Sequence, residues 1–149
     1  MTLGELIGAD QVVVGLRVAD KGQLLSELSR RAAAALSLPQ TAVLQPLLAR
    51  EQLGSTGLGR GFALPHARLP QLSRAYALLA RLARPIDYEA VDEKPVDLVV
   101  LLLTPESAAN QHLATLAALS RPFREEAFVA QVRKAADVAA VYKVLTSPA

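Results

Sequence analysis

The sequence predicts a layered α/β fold, a sheet covered by helices, and three observations carry that expectation. Segments of helical and of strand character alternate through most of the chain. The stretch Pro95 to Pro105, PVDLVVLLLTP, is an almost unbroken Val/Leu run between prolines, the pattern of a strand buried on both faces. Finally, 149 residues, 52% hydrophobic and 20% charged, suffice to bury a core without a metal or disulfide staple. That length predicts a single domain spanning residues 1–149.

Taken in order, Val12-Val13-Val14-Gly15-Leu16 is a short β-branched strand candidate. Asp20 is placed to cap a helix from Lys21 to Leu36, with Leu24, Leu28, Ala32 and Ala35 on one face. Pro39 suits the start of a second helix with apolar positions Val43, Leu44, Leu47 and Leu48. Pro46 removes a backbone hydrogen bond inside that helix, and Arg50 falls near its C-terminal end. Gly54 to Gly61 is expected to be a loop, because glycine at that density discourages both regular structures. Phe62-Ala63-Leu64 reads as a short extended piece, with Leu64 pushed towards extended geometry by the proline after it. Strands are expected at Ala75–Leu82 and Val96–Leu103. From Ser107 helical spacing takes over: Leu113, Leu116 and Leu119 mark one face of a helix that Pro122 ends or redirects. Further helices are expected over Arg124–Ala136 and Asp137–Leu145.

Composition excludes several kinds of chemistry. With no cysteine, disulfides and thiolate metal sites are impossible, and a reducing cytoplasm is compatible with that. No apolar run approaches the roughly 18 residues that cross a bilayer, and Met1 to Asp10 has no basic region before an apolar core. A soluble cytoplasmic protein with no membrane insertion is the expectation. Sixteen basic residues against 14 acidic leave a net charge of only +2, scattered along the chain with little aromatic interleaving. A nucleic-acid footprint would be more concentrated, so solvated surface charge is the better reading.

The chemistry-bearing residues gather in REQLGSTGLGRGFALPHAR, Arg50 to Arg68, which includes one of only two histidines. Gly54 to Gly59 has the four-residue gap of a phosphate-binding P-loop, but Arg60 and Gly61 stand where Lys and Ser/Thr are needed. The glycines also lack dinucleotide-binding spacing. Two histidines without His-Glu-x-x-His spacing fall short of the three ligands of a catalytic zinc, so neither metal nor cofactor is expected. A third reading is a histidine that accepts a phosphoryl group. Neutral imidazole is a competent nucleophile near pH 7, and the phosphorylated ring needs backbone N–H groups, hydroxyls and a guanidinium around its charge. Glycine-lined backbone, Ser55, Thr56 and Arg50 offer all three, with His66 presented by the rigid Leu64-Pro65 step. Such transfer depends mainly on positioning and charge stabilisation. Read singly, these residues have plainer explanations. His112 shares a helix face with Leu116 and Leu119, Arg50 suits a helix C-terminus, and Ser55 and Thr56 are ordinary turn residues.

On these residues the chain resembles the IIA phosphocarrier proteins of the bacterial sugar phosphotransferase system, in the fructose/mannitol group. It is most similar to the nitrogen-regulatory, stand-alone branch. The matching motifs are R-E-x-L-G-S-T-G-L-G-x-G-F-A-L-P-H at Arg50 to His66, R-P-I-D-Y-E-A-V-D at Arg84 to Asp92, and P-V-D-L-V-V-L-L-L-T-P at Pro95 to Pro105. N-Q-H-L-A-T-L-A-A-L-S follows, with the second histidine. The resemblance implies a mixed β-sheet with helices on both faces. It implies that His66 is the phosphorylated residue, that His112 orients or stabilises the phosphoryl group, and that Arg50 neutralises its oxygens. Thr56, and less directly Ser55, would donate hydrogen bonds to it. An upstream histidine-phosphorylated carrier of the HPr/NPr kind would supply the phosphate, ultimately from phosphoenolpyruvate. The output would be regulatory, with a separate IIB-type transporter component as the alternative recipient. A module of another class would keep the fold, lose phosphotransfer and act through its surface alone. Two departures from the family pattern are Ala67, where glycine is common, and Arg60, where a small polar residue such as Asn is frequent.

Overall fold

In the computed structural model, which describes residues 2–107 and 109–147, two long strands form the centre. These are β5 (Tyr76–Ile86) and β6 (Val96–Pro105), paired antiparallel. Strand β1 (Val12–Leu16) adds in parallel to β5. Along the other edge of β6 lie two short strands in succession, β3 (Phe62–Ala63) and β4 (His66–Leu69), both parallel to it. A further strand, β2 (Gly57–Gly59), pairs antiparallel with β3. The sheet is therefore mixed, as expected.

Alternation along the central strands sends successive side chains into two different cores. Leu78, Ala80 and Leu82 of β5, with Val99, Leu101 and Leu103 of β6, pack under α2 (Lys21–Leu36) and α3 (Gln40–Gln52). Ala77 and Leu79, with Leu98, Val100 and Leu102, face the opposite layer. That layer holds α1 (Leu3–Leu6), α4 (Ala109–Ser120), α5 (Glu126–Lys134), α6 (Val138–Thr146) and the 3₁₀ turn Arg121–Arg124 around Pro122. Both faces of β6 are thus covered, which explains its nearly continuous Val/Leu composition.

Asp20 and Asp137 cap α2 and α6 by accepting from the N–H groups of Gln23 and Ala140. Helix α3 begins after Pro39 and runs through Pro46. The helix expected from Ser107 is α4; Ala108 lies outside the described residues. Helix α1, not foreseen, carries a readable signal in Thr2 and Glu5, which form a reciprocal capping box. Two face assignments need correction. Ala33, not Ala35, joins Leu24, Leu28 and Ala32 in the core. Leu113 is 67% exposed, because at about 100° per residue it lies far round the helix from buried Leu119.

The largest correction concerns Gly54 to Gly61. It is not loop throughout but contains strand β2, joined to β3 by the two residues Arg60 and Gly61, at φ 58° and 80°. Two consecutive positive φ values are what the tight type I′ hairpin requires. Gly57 is held to glycine for another reason, since an added Cβ would stand 2.8 Å from the Cα of Ala90. Strand β4 was also unforeseen, although its alternating exposure is the strand pattern in miniature.

Candidate functional site

His66 opens β4 immediately after Leu64-Pro65. Proline has no N–H to give the ladder, yet the Pro65 carbonyl accepts from the Leu102 N–H at 3.0 Å, so the break stays docked on β6. The Nδ1 atom of His66 lies 2.8 Å from the Leu64 carbonyl oxygen. A carbonyl can only accept, so Nδ1 carries the proton and Nε2 keeps its lone pair. Towards that nitrogen Arg50, in the last turn of α3, donates from Nε at 3.3 Å. Arg50 is steadied by a second bond, from Nη1 to the Gly54 carbonyl at 2.9 Å.

His112 stands beside His66, with ring centroids 5.5 Å apart and planes tilted by 48°. Both rings are half-buried. The sequence separated them by 46 residues; β6 and the turn into α4 bring them together. The residue fixing His112 escaped sequence reasoning. Thr104, buried near the end of β6, places Oγ1 2.5 Å from Nδ1 of His112, leaving Nε2 as that ring's remaining nitrogen.

The electrostatics favour neutral imidazoles. Burial pushes His66 below its ordinary value and the Arg50 charge adds to that, against the Leu64 carbonyl and the Glu51 carboxylate, which push it up. His112 is also lowered, first by burial, then by the repulsion that a protonated His66 would exert and by the Arg68 charge.

Ser55 and Thr56 are placed differently from what the sequence suggested. Thr56 is 2% exposed and its hydroxyl bonds the Glu51 carboxylate and the Tyr88 hydroxyl. Ser55 accepts from the Gly57 N–H at 3.1 Å and reaches the Tyr88 carbonyl at 3.4 Å. Both hydroxyls shape the loop from within. Arg60, the other departure noted above, donates from Nη1 to the Arg124 carbonyl at 3.0 Å, while its backbone N–H is held by Asp92. Its guanidinium is thus engaged at the 3₁₀ turn before α5. Glu51 and Tyr88 are partners that sequence reasoning missed. Their only signal was membership of the R-E and D-Y-E motifs.

Arg50 of α3, His66 of β4 and His112 of α4 thus meet in one place, a guanidinium and two imidazoles that together can hold an anion. Residues 5–147 match the family model described as the phosphoenolpyruvate-dependent sugar phosphotransferase system, EIIA 2, and the chain belongs to that family. It is 42% identical over 148 residues to a nitrogen regulatory protein of Bradyrhizobium diazoefficiens, covering 99% of this chain and 97% of that one. The crystal structure of the nitrogen regulatory protein IIA-Ntr of Neisseria meningitidis superposes with a TM-score of 0.90 at 33% identity, over 97% of this chain and 99% of that one. The IIA mannitol protein of Escherichia coli shares the fold, with a TM-score of 0.77 at 17% identity over 94% of this chain and 99% of that one. Among the described residues, no helix is long and apolar enough to cross a membrane.

Proposed function

We propose that this protein is a histidine phosphocarrier that takes a phosphoryl group on Nε2 of His66 from an HPr-type carrier and uses its phosphorylation state as a regulatory signal. The observation that carries this reading is the half-exposed pair of imidazoles 5.5 Å apart, one with its unprotonated nitrogen facing Arg50. In the transfer, the N–P bond of the donor phosphohistidine breaks and its electron pair returns to the donor ring. The Nε2 lone pair of His66 forms the new bond to phosphorus. No proton need cross between the proteins. The Nδ1–H of His66 becomes more acidic as its ring takes on positive character, and the Leu64 carbonyl is already placed to hold it. Arg50 meets the charge gathering on the phosphoryl oxygens. His112 bonds Thr104 through Nδ1, and where the Thr104 hydroxyl donates in that bond the ring presents Nε2–H to the same oxygens. Ser55 and Thr56 serve by fixing the loop around the site.

The similarity to nitrogen regulatory proteins supports the regulatory output. A dianionic group added at a half-exposed position changes what that surface can bind, which is a sufficient physical switch. The test is incubation with phosphoenolpyruvate and the upstream carriers. We expect an acid-labile, alkali-stable phosphate that His66→Ala abolishes. Wild type that takes no label from competent carriers would leave only a non-phosphorylated binding module. Onward passage of the label to a IIB-type component would replace the regulatory output with a transport one.

A further inference from the structure

Beside the imidazole pair lies a second cluster of charge that the transfer scheme leaves unused. Lys21 opens α2, where a cation opposes the helix dipole. Its Nζ nevertheless reaches 2.8 Å from the Glu51 carboxylate, with side chains 17% and 7% exposed, and sits 4.5 Å from the centroid of the Tyr88 ring. The same carboxylate accepts from the Thr56 N–H at 3.3 Å, the Thr56 hydroxyl and the Tyr88 hydroxyl at 3.1 Å. Four segments therefore converge on one buried anion: the start of α2, the end of α3, the loop before β2, and the connection from β5 to β6. Burial alone would raise the Glu51 carboxyl, but Lys21 and Thr56 outweigh it and hold it below the usual range. Burial pushes Tyr88 far up, and the Glu51 charge adds to that, so its hydroxyl remains a donor.

Glu51 directly follows Arg50 in the chain. The Glu51 charge is felt at the His66 ring, so a phosphoryl dianion formed there would meet the repulsion of that buried carboxylate, opposed by the Arg50 guanidinium at 3.3 Å. Two charges in such surroundings interact far more strongly than in water.

Resting on the phosphocarrier reading, we propose that Lys21 is the electrostatic positioning residue of this site. It acts through Glu51, neutralising that carboxylate's repulsion of phosphorylated His66 while leaving it able to anchor Thr56 and Tyr88. The charged and titratable groups that bear on His66 are then Arg50 and Glu51 from α3, with Lys21 behind them, and His112 from α4, which itself feels Arg68 of β4.

The test compares wild type with Lys21→Met, Lys21→Arg, Glu51→Gln and the Lys21→Met/Glu51→Gln double variant. The readouts are the fraction phosphorylated at equilibrium with an HPr-type carrier and the NMR titration of His66 in the unphosphorylated protein. Lys21→Met should lower the phosphorylation equilibrium on the order of tenfold and raise the His66 pKa. Glu51→Gln should move both in the opposite sense. Lys21→Arg should stay near wild type. The double variant, which leaves no lone buried charge, should recover most of what Lys21→Met loses. Its result stands even if Lys21→Met does not fold. A double variant no better than Lys21→Met, a double variant far below wild type, or an unmoved His66 titration in a folded Lys21→Met would overturn the proposal and leave the phosphocarrier reading intact. Wild type that takes no phosphate overturns both.

Discussion

On the α3 side of His66, side chains from four segments are joined by hydrogen bonds and an ion pair, Lys21, Glu51, Thr56 and Tyr88, and Arg50, bound to His66 and the Gly54 carbonyl, precedes Glu51 in the chain. On the α4 side, His112 has Thr104, and its chain neighbour Leu113 is 67% exposed. The first side is an interlocked network with its polar groups spent on one another, and it holds the Arg50 guanidinium against His66. The second presents one imidazole on an open helix surface. On the phosphocarrier reading proposed above, the difference suits a group gripped by the protein but delivered by another macromolecule. Preorganisation costs nothing at the moment of transfer where it stabilises charge, whereas an approaching partner needs exposed surface.

The contrast breaks most severely at Arg50. Arg50→Ala should slow phosphoryl acceptance by about 10²–10³-fold, read as the rate of label uptake from the upstream carrier. On the α4 side, Thr104→Val keeps the shape but frees Nδ1 of His112. We expect acceptance to fall only about tenfold, with an altered His112 titration and an unchanged His66 titration. An equal loss in the two variants would erase the distinction between the sides.

The pH dependence sharpens the same comparison. Burial and the Arg50 charge lower His66, so its ring remains neutral, and nucleophilic, below the ordinary imidazole value of about 6.5. Acceptance should therefore persist into mildly acid solution and be lost only as pH falls through the depressed His66 value. Arg50→Ala should move that limb to higher pH, because it removes a charge that disfavours the imidazolium.

The smallest effect is expected outside the site. Arg60 occupies a left-handed turn position that Asn adopts more easily, and its guanidinium bonds the exposed Arg124 carbonyl. Arg60→Asn should raise stability by up to about 1 kcal/mol, seen as a rise of about 2–4 °C in Tm, with phosphorylation unchanged.

What was legible beforehand follows from range in sequence. The Val/Leu run of β6 announced a doubly covered strand, and the Asp20 cap announced α2, because both signals are local. The β2–β3 hairpin stayed hidden because Arg stands at a turn position where Asn would have signalled it, and because glycine density resembles loop. Strand β4 is four residues long and follows a proline that breaks its ladder. The structure brings together Arg50, His66 and His112, which the motifs had singled out. The roles of Lys21, Thr104 and Tyr88 exist only across the sheet and between layers, where no spacing rule reaches. Thr56 shows the converse: its hydroxyl was legible as a donor, but not which acceptor it would find.

The most direct measurement is long-range proton–nitrogen correlation NMR on ¹⁵N-labelled protein phosphorylated through its carriers. Because the Leu64 carbonyl occupies Nδ1, the phosphoryl group is expected on Nε2 of His66, with Nδ1 still protonated. A phosphoryl group on Nδ1, or on His112 with His66 unmodified, would contradict the account.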